Sequence, residues 1–281
     1  MMKAITPHAD GRPLVMGVVN VTPDSFSDGG KFLDAEVARD HALQLLEDGA
    51  DWLDIGGEST RPGAEPVSEA EEMDRVMPVI EAVRAARPDA CISIDTMKPG
   101  VAGAALGAGA AMWNDVNALR AEGAMELAAQ LNCLVCLMHM QGKPQTMQEK
   151  PGYDAVVTDV ARFFGQQVGA AISAGIAREH ILLDPGIGFG KTLAHNLELM
   201  GSLEFLVDLG FPILFGASRK RFIQAIDETA SESTDRLGGS LAAALHAARS
   251  GATIIRVHDV RETVQALKVQ AALQSTDHSA L

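Results

Sequence analysis

Eight short apolar runs recur along the chain, at residues 14–20, 52–55, 91–95, 112–115, 134–138, 181–184, 212–215 and 253–258. Most are continuous rather than alternating, the signature of parallel strands covered on both faces. Segments of helical spacing separate them. Residues 35–49 place Val37, Ala38, His41, Leu45 and Leu46 on one stripe and stop at Gly49, a helix C-terminal signal. Ser68 with Glu71 forms a capping-box pattern at the next helix start. Residues 154–175, 193–210, 234–251 and 261–273 continue the alternation. Repeated βα units with no hydrophilic linker predict one α/β domain over residues 1–281, with a core from about 12 to 274. Eight such units fit a single-domain (β/α)8 TIM barrel, and an open doubly wound sheet is the alternative.

Size and charge narrow the function classes. The 281 residues are 47% apolar, ample for one buried core, and 23 basic against 37 acidic side chains leave a formal charge of −14. Such a surface does not steer polyanions, so neither a nucleic-acid nor an anionic-membrane partner is expected. Residues 1–10 lack an apolar signal core, and no run approaches the roughly 20 apolar residues of a spanning helix. Three cysteines make no disulfide framework, and a cytoplasmic setting is expected. Cys133 and Cys136 have redox spacing but fall in or beside a strand, where residues three apart point to opposite faces, so packing is their expected role.

The strand ends are more informative. Asn20, Asp54, Asp95, Asn114, Asp115, His139, Asp184, the turn from Ser218 to Lys220, Arg256 and His258 stand at or just past C-terminal strand ends, where barrels build active sites. Two connections, 20–30 and 56–63, exceed the usual length of a βα loop, and Thr60-Arg61-Pro62 suits a carboxylate or phosphate. The stretch Asp184-Pro-Gly-Ile-Gly-Phe-Gly-Lys-Thr192 is one residue short of a P-loop. It reads instead as a glycine loop that lets backbone approach a ligand, with Phe189 available to stack on a flat ring. Met138, His139 and Met140 read as packing around the barrel mouth.

Two constellations of opposite kind emerge. Arg256 and His258 share a strand face, beside the cationic turn Ser218-Arg-Lys-Arg221, and loops after the last two strands of barrels often hold phosphate. Asp95, Asn114 and Asp184 offer carboxylate and amide groups at the ends of apolar strands. That set suits a neutral heterocycle with a guanidine-like edge, the 2-amino-4-oxo pattern of pterin or guanine.

Seven ordered motifs together resemble the dihydropteroate synthase family over nearly the whole chain. They run from Met16-Gly-Val-Val-Asn-Val-Thr-Pro-Asp-Ser-Phe-Ser-Asp28 through Asp54-Ile-Gly-Gly-Glu-Ser-Thr-Arg-Pro-Gly63, Ser93-Ile-Asp-Thr96, Asn114-Asp-Val-Asn117, Asp184-Pro-Gly-Ile-Gly-Phe-Gly190 and Ser218-Arg-Lys220 to Arg256-Val-His-Asp259. The resemblance implies a homodimeric barrel joining 6-hydroxymethyl-7,8-dihydropterin diphosphate to 4-aminobenzoate, with release of diphosphate. It implies that Asp95, Asn114, Met138, Asp184 and Lys220 hold the pterin. Asn20, Thr60, Arg256 and His258 take the diphosphate, Asn20 through Mg2+. Thr60, Arg61, Pro62, Phe189 and Arg221 shape the aminobenzoate pocket, which sulfonamides enter by resembling aminobenzoate. Lys220, Arg256, His258, Asp95 and Asp184 carry the chemistry. Arg221 stands where the family pattern has Ser, which removes a hydroxyl and keeps the backbone N–H. The rivals are a pterin-dependent methyltransferase, which needs no Arg256/His258 anion pocket, a metal-dependent barrel hydrolase, which lacks its first-strand His-x-His here, and a silent pterin-binding homologue.

Overall fold

The computed structural model describes residues 5–22, 31–61 and 63–275, with backbone only for 31–34. Eight strands, β1 (Leu14–Asn20), β2 (Trp52–Gly56), β3 (Ile92–Asp95), β4 (Met112–Asp115), β5 (Leu134–Met138), β6 (Ile181–Asp184), β7 (Leu214–Phe215) and β8 (Ile254–Val257), form one parallel sheet ordered β6-β5-β4-β3-β2-β1-β8-β7. A single parallel bridge between Leu183 and Ile213 joins the two outer strands, so the sheet curls into a (β/α)8 barrel rather than an open sheet. Around it run α1 (Lys31–Glu47), α2 (Glu69–Ala86), α3 (Pro99–Gly107), α4 (Ala124–Leu131), α5 (Val156–Ser173), α6 (Leu193–Gly201), α7 (Leu203–Val207), α8 (Arg221–Ile226), α9 (Leu237–Arg249) and α10 (Val260–Gln274).

The turns that feed the strands follow from local chemistry. After α1, Gly49 adopts φ +103°, and the Gly49 and Ala50 amides bond back to Leu46 and Leu45 at 3.1 and 2.9 Å. That pair of bonds is a Schellman cap, and it turns the chain directly into β2. The Gly109-Ala110 and Gly251-Ala252 turns repeat the same bonds ahead of β4 and β8. Ser68 Oγ accepts the Glu71 amide at 3.2 Å as an N-cap, while Glu71 gives its carboxylate to Arg75.

Several element boundaries differ from the sequence-based reading. The seventh strand shortens to Leu214–Phe215, because Pro212 has no N–H to give a ladder. The expected helix over 193–210 breaks at Ser202, where Gly201 and Ser202 stand together and both are poor helix formers. The stretch after Lys220, expected as a basic turn, winds into α8.

Two apolar zones make the core. One lies between strands and helices; the other fills the barrel floor with Leu14, Met16, Trp52, Met112, Leu134, Cys136, Leu182, Leu214 and Ile254. Because inward positions recur every second residue, the next inward position along each strand lies one layer higher. On four strands that step changes chemistry, from Trp52 to Asp54, Met112 to Asn114, Leu182 to Asp184 and Ile254 to Arg256. The barrel is therefore dry at its floor and ionic at its C-terminal mouth. Cys133 and Cys136 lie in separate apolar clusters, as packing roles require. Burial pushes the Cys133 thiol up to about 11 and that of Cys136 well above its usual range. No helix among the described residues is long and apolar enough to cross a membrane.

Candidate active site at the mouth of the barrel

Arg256 organises one side of the mouth. Its Nε donates to Asp54 Oδ2 at 2.6 Å and its Nη2 to Asp95 Oδ2 at 2.8 Å. Asn114 Nδ2 donates to the same Asp54 oxygen at 2.9 Å, tying the ends of β2, β3, β4 and β8 together. Asp54 is fully buried, and among the described residues its Oδ1 has no hydrogen-bond partner. Burial, reinforced by the neighbouring Asp54 charge and opposed by Arg256, raises Asp95 to about 7. Burial alone would lower the Arg256 pKa; the flanking Asp54 and Asp95 carboxylates outweigh it, and the guanidinium stays charged.

Opposite stands the loop after β6. Asp184 Oδ1 accepts the Gly186 amide at 2.7 Å, and its carboxyl is raised by burial against the opposing pull of Lys220. Lys220 Nζ donates to the Ile187 carbonyl and sits 4.3 Å from the centre of the Phe189 ring, a cation–π contact. Burial lowers Lys220 to about 8, with Asp184 resisting. Met138 packs with Val116, Met140 and Met147, and Phe189 lies against that group, so the expected packing role of the methionines also makes a wall of the mouth.

The third side is the end of β8. Ser218 Oγ accepts the His258 amide at 3.2 Å and lies 3.0 Å from His258 Nδ1. Burial and the Arg256 charge lower His258 to about 3, so the ring is neutral, with Nδ1 in hydrogen-bond contact with the Ser218 hydroxyl. The cations of the Ser218 turn diverge instead of clustering. Arg219 turns to Asp259, Arg221 starts α8 exposed to solvent, and Lys220 alone enters the mouth. The positive charge of Arg61, in the 56–63 loop, also acts on His258, which puts Arg61 on the anion side.

That loop is fastened from below. Lys98 Nζ bridges Glu58 at 2.9 Å and the fully buried Glu72 at 2.5 Å, Glu58 Oε1 accepts the Val67 amide at 3.1 Å, and Arg75 donates to the Gly57 carbonyl at 2.7 Å. Thr60 is half-buried and Arg61 exposed. Asn20 ends β1, paired in register with Gly56. Pro62 and residues 23–30 of the 20–30 loop lie outside the described residues. Among the described residues no three His, Cys, Asp or Glu side chains gather as a metal site. A lone amide oxygen at Asn20 still suits Mg2+, which keeps most of its waters and takes one or two protein oxygens beside substrate phosphates.

The structure thus brings Asp95, Asn114, Asp184, Lys220, Phe189, Met138, Arg256 and His258 to one rim. The sequence placed Asp54 and Ser218 at strand ends without a role of their own, and gave none to Lys98, Glu72 or Lys191. Asp54 carried a usable signal, since it stands one inward step above Trp52 on an otherwise apolar strand.

Comparison with known proteins gives a consistent family. A family model described as pterin binding enzyme matches residues 16–258. The dihydropteroate synthase of Escherichia coli (strain K12) is 51% identical over 264 residues, covering 94% of this chain and 92% of that protein. The Xanthomonas albilineans dihydropteroate synthase solved with 4-aminobenzoic acid superposes with a TM-score of 0.89 at 51% identity, covering 95% of this chain and 94% of that one. The same organism's enzyme in complex with 7,8-dihydropteroate gives 0.86 at 48% identity, covering 96% and 97%.

Proposed function

The chain belongs to the dihydropteroate synthase family of pterin-binding enzymes and transfers a pterinylmethyl group to 4-aminobenzoate, and from that premise we propose how its strand ends divide the work. The observation that carries the reading is the division of oxygens among the buried carboxylates. Asp95 commits Oδ2 to Arg256 and Asp184 commits Oδ1 to the Gly186 amide, so each keeps one oxygen for the N–H donors of a pterin ring. Asn114 supplies an amide and Lys220 a cation on the same ring, with Met138 as the apolar wall.

Arg256 has five N–H donors and spends one on each carboxylate, so it offers the rest to diphosphate without leaving its anchors. Neutral His258, its Nδ1 satisfied by Ser218, has Nε2–H left to give. Thr60 closes this side, and Asn20 would hold Mg2+, which when bound would supply positive charge to the diphosphate oxygens. The bond that breaks joins the pterin methylene to a diphosphate oxygen. The electron-rich dihydropterin spreads the positive charge, so departure precedes attack, and Arg256 and His258 stabilise the leaving anion in place. The aryl amine attacks unprotonated and sheds its proton afterwards, so no strong general base is needed. Thr60, Arg61, Pro62, Phe189 and the Lys220–Arg221 turn frame aminobenzoate and exclude water from the intermediate. A homodimer in the cytoplasm completes the proposal.

Calorimetric titration with a 6-hydroxymethylpterin tests the division of oxygens. Lys220→Ala and Asp95→Ala are each expected to abolish measurable binding, and near-wild-type affinity in either variant removes that residue from the site.

A further inference from the structure

The loop after β6 uses its backbone carbonyls in an unusual way. All five from Gly186 to Gly190 accept a bond from a side chain. Lys191 Nζ serves Gly186 and Phe189, each at 3.0 Å. Lys220 serves Ile187, Gln148 Nε2 serves Gly188 at 2.7 Å, and the Tyr153 hydroxyl serves Gly190 at 2.7 Å. Lys191 is 3% exposed and also meets His139 Nδ1 at 3.0 Å and the His139 carbonyl at 3.2 Å. The amide side is held as well, with Gly188 donating to Asn196 Oδ1 at 2.7 Å.

Packing closes the same loop. Gly186 and Gly190 have φ of +65° and +60°. A Cβ at Gly186 would fall on the His139 carbonyl oxygen, and one at Gly190 would come within 2.5 Å of that of Gln141. Buried polar groups on this scale are held only where each is paired, and here the donors come from the β5–α5 connection, from Lys220 and from Lys191 itself. Burial lowers Lys191 to about 7, which marks how far this ammonium has been taken from water for the sake of four acceptors.

We propose that Lys191, with Gln148 and Tyr153, is a clamp of positioning residues that holds the Phe189 ring against Lys220 and so sets the affinity for 4-aminobenzoate. The inference rests on the reading of Phe189 as a wall of the aminobenzoate pocket. None of the three clamp residues is assigned to substrate; they act through the backbone on either side of Phe189. Loss of the clamp therefore raises the KM for aminobenzoate and leaves pterin affinity in place.

The test is steady-state kinetics on the purified full chain carrying Tyr153→Phe, Gln148→Ala or Lys191→Met, each alone and combined with Phe189→Leu. Tyr153→Phe and Gln148→Ala are each expected to raise the aminobenzoate KM about threefold, and Lys191→Met about tenfold or more, with kcat and 6-hydroxymethylpterin affinity within about twofold of wild type. In the Phe189→Leu background the increments vanish, because residues acting through one group are not additive. Unchanged aminobenzoate KM in both Tyr153→Phe and Gln148→Ala, or equal increments in both backgrounds, overturns the clamp. If Lys191→Met does not fold, the two milder variants decide. A Phe189→Leu variant with wild-type aminobenzoate KM removes the pocket assignment itself, whereas a damaged Phe189→Leu beside silent clamp variants removes the clamp alone.

Discussion

Asp54 and Arg256 stand 202 residues apart in the chain and meet at 2.6 Å, from strands that flank β1 on either side. The carboxylate lies in the barrel interior, and the guanidinium that neutralises it also reaches Asp95. One ion pair thereby joins the anion side of the mouth to the pterin side, and it holds Arg256 ready before any substrate arrives.

Arg256→Gln removes the only cation bonded to Asp54 among the described residues. Breaking a buried pair from one side typically costs about 3–5 kcal/mol, and loss of a donor to a developing anion about 10²–10³ in kcat. Urea unfolding is expected to show a loss of about 3 kcal/mol, with kcat down at least about a hundredfold. Arg256→Lys keeps the charge without the fork and falls between the two. Wild-type stability in Arg256→Gln contradicts the anchoring role.

Asp54→Asn carries a sign that can be checked. Burial raises the Asp95 carboxyl first and the Asp54 charge second, to about 7. Removing that charge lowers Asp95, so the acid limb of kcat/KM for the pterin diphosphate moves to lower pH. An upward shift, or none, rules out ionised Asp95 as the group that receives the pterin.

Lys98 is the partner of a fully buried carboxylate, Glu72, and of Glu58 at the root of the 56–63 loop. Lys98→Met leaves both acids uncompensated and is expected to destabilise the fold by about 3–5 kcal/mol. Adding Glu72→Gln recovers part of that loss, which a double-mutant cycle in denaturant measures as a coupling above about 0.5 kcal/mol.

His258 supplies a pH test of stability. Its folded pKa is about 3 against an ordinary 6.5, so between those values the unfolded chain binds the extra proton. Its contribution is present above pH 6.5 and is lost as pH falls through the window. The stability difference between wild type and His258→Asn should shrink on acidification by about 1.4 kcal/mol per pH unit. Unfolding free energies at a series of pH values decide it; parallel curves refute a buried neutral imidazole.

How much of this is legible in the sequence depends on the range of the interaction. Strands such as Leu14–Asn20 and Ile181–Asp184 are read to the residue because burial on both faces leaves one continuous apolar run. The rim carboxylates and cations are legible because strand parity puts Asp95, Asp184 and Arg256 at the polar ends of such runs. Interactions between remote segments are not. Nothing local to Asp54 names Arg256 as its partner, and nothing in a basic turn says that Arg219 will leave for Asp259 while Lys220 turns inward. Lys191 resembles part of a phosphate loop, and only the fold shows its ammonium turned into the protein, serving carbonyls.

The most direct measurement is diphosphate release by the purified chain given the pterin diphosphate and Mg2+, with and without 4-aminobenzoate. Release matched one for one by dihydropteroate formation, dependent on Mg2+ and lost in Arg256→Gln, is the expected result. Pterin binding without any release of diphosphate, under either condition, would contradict it.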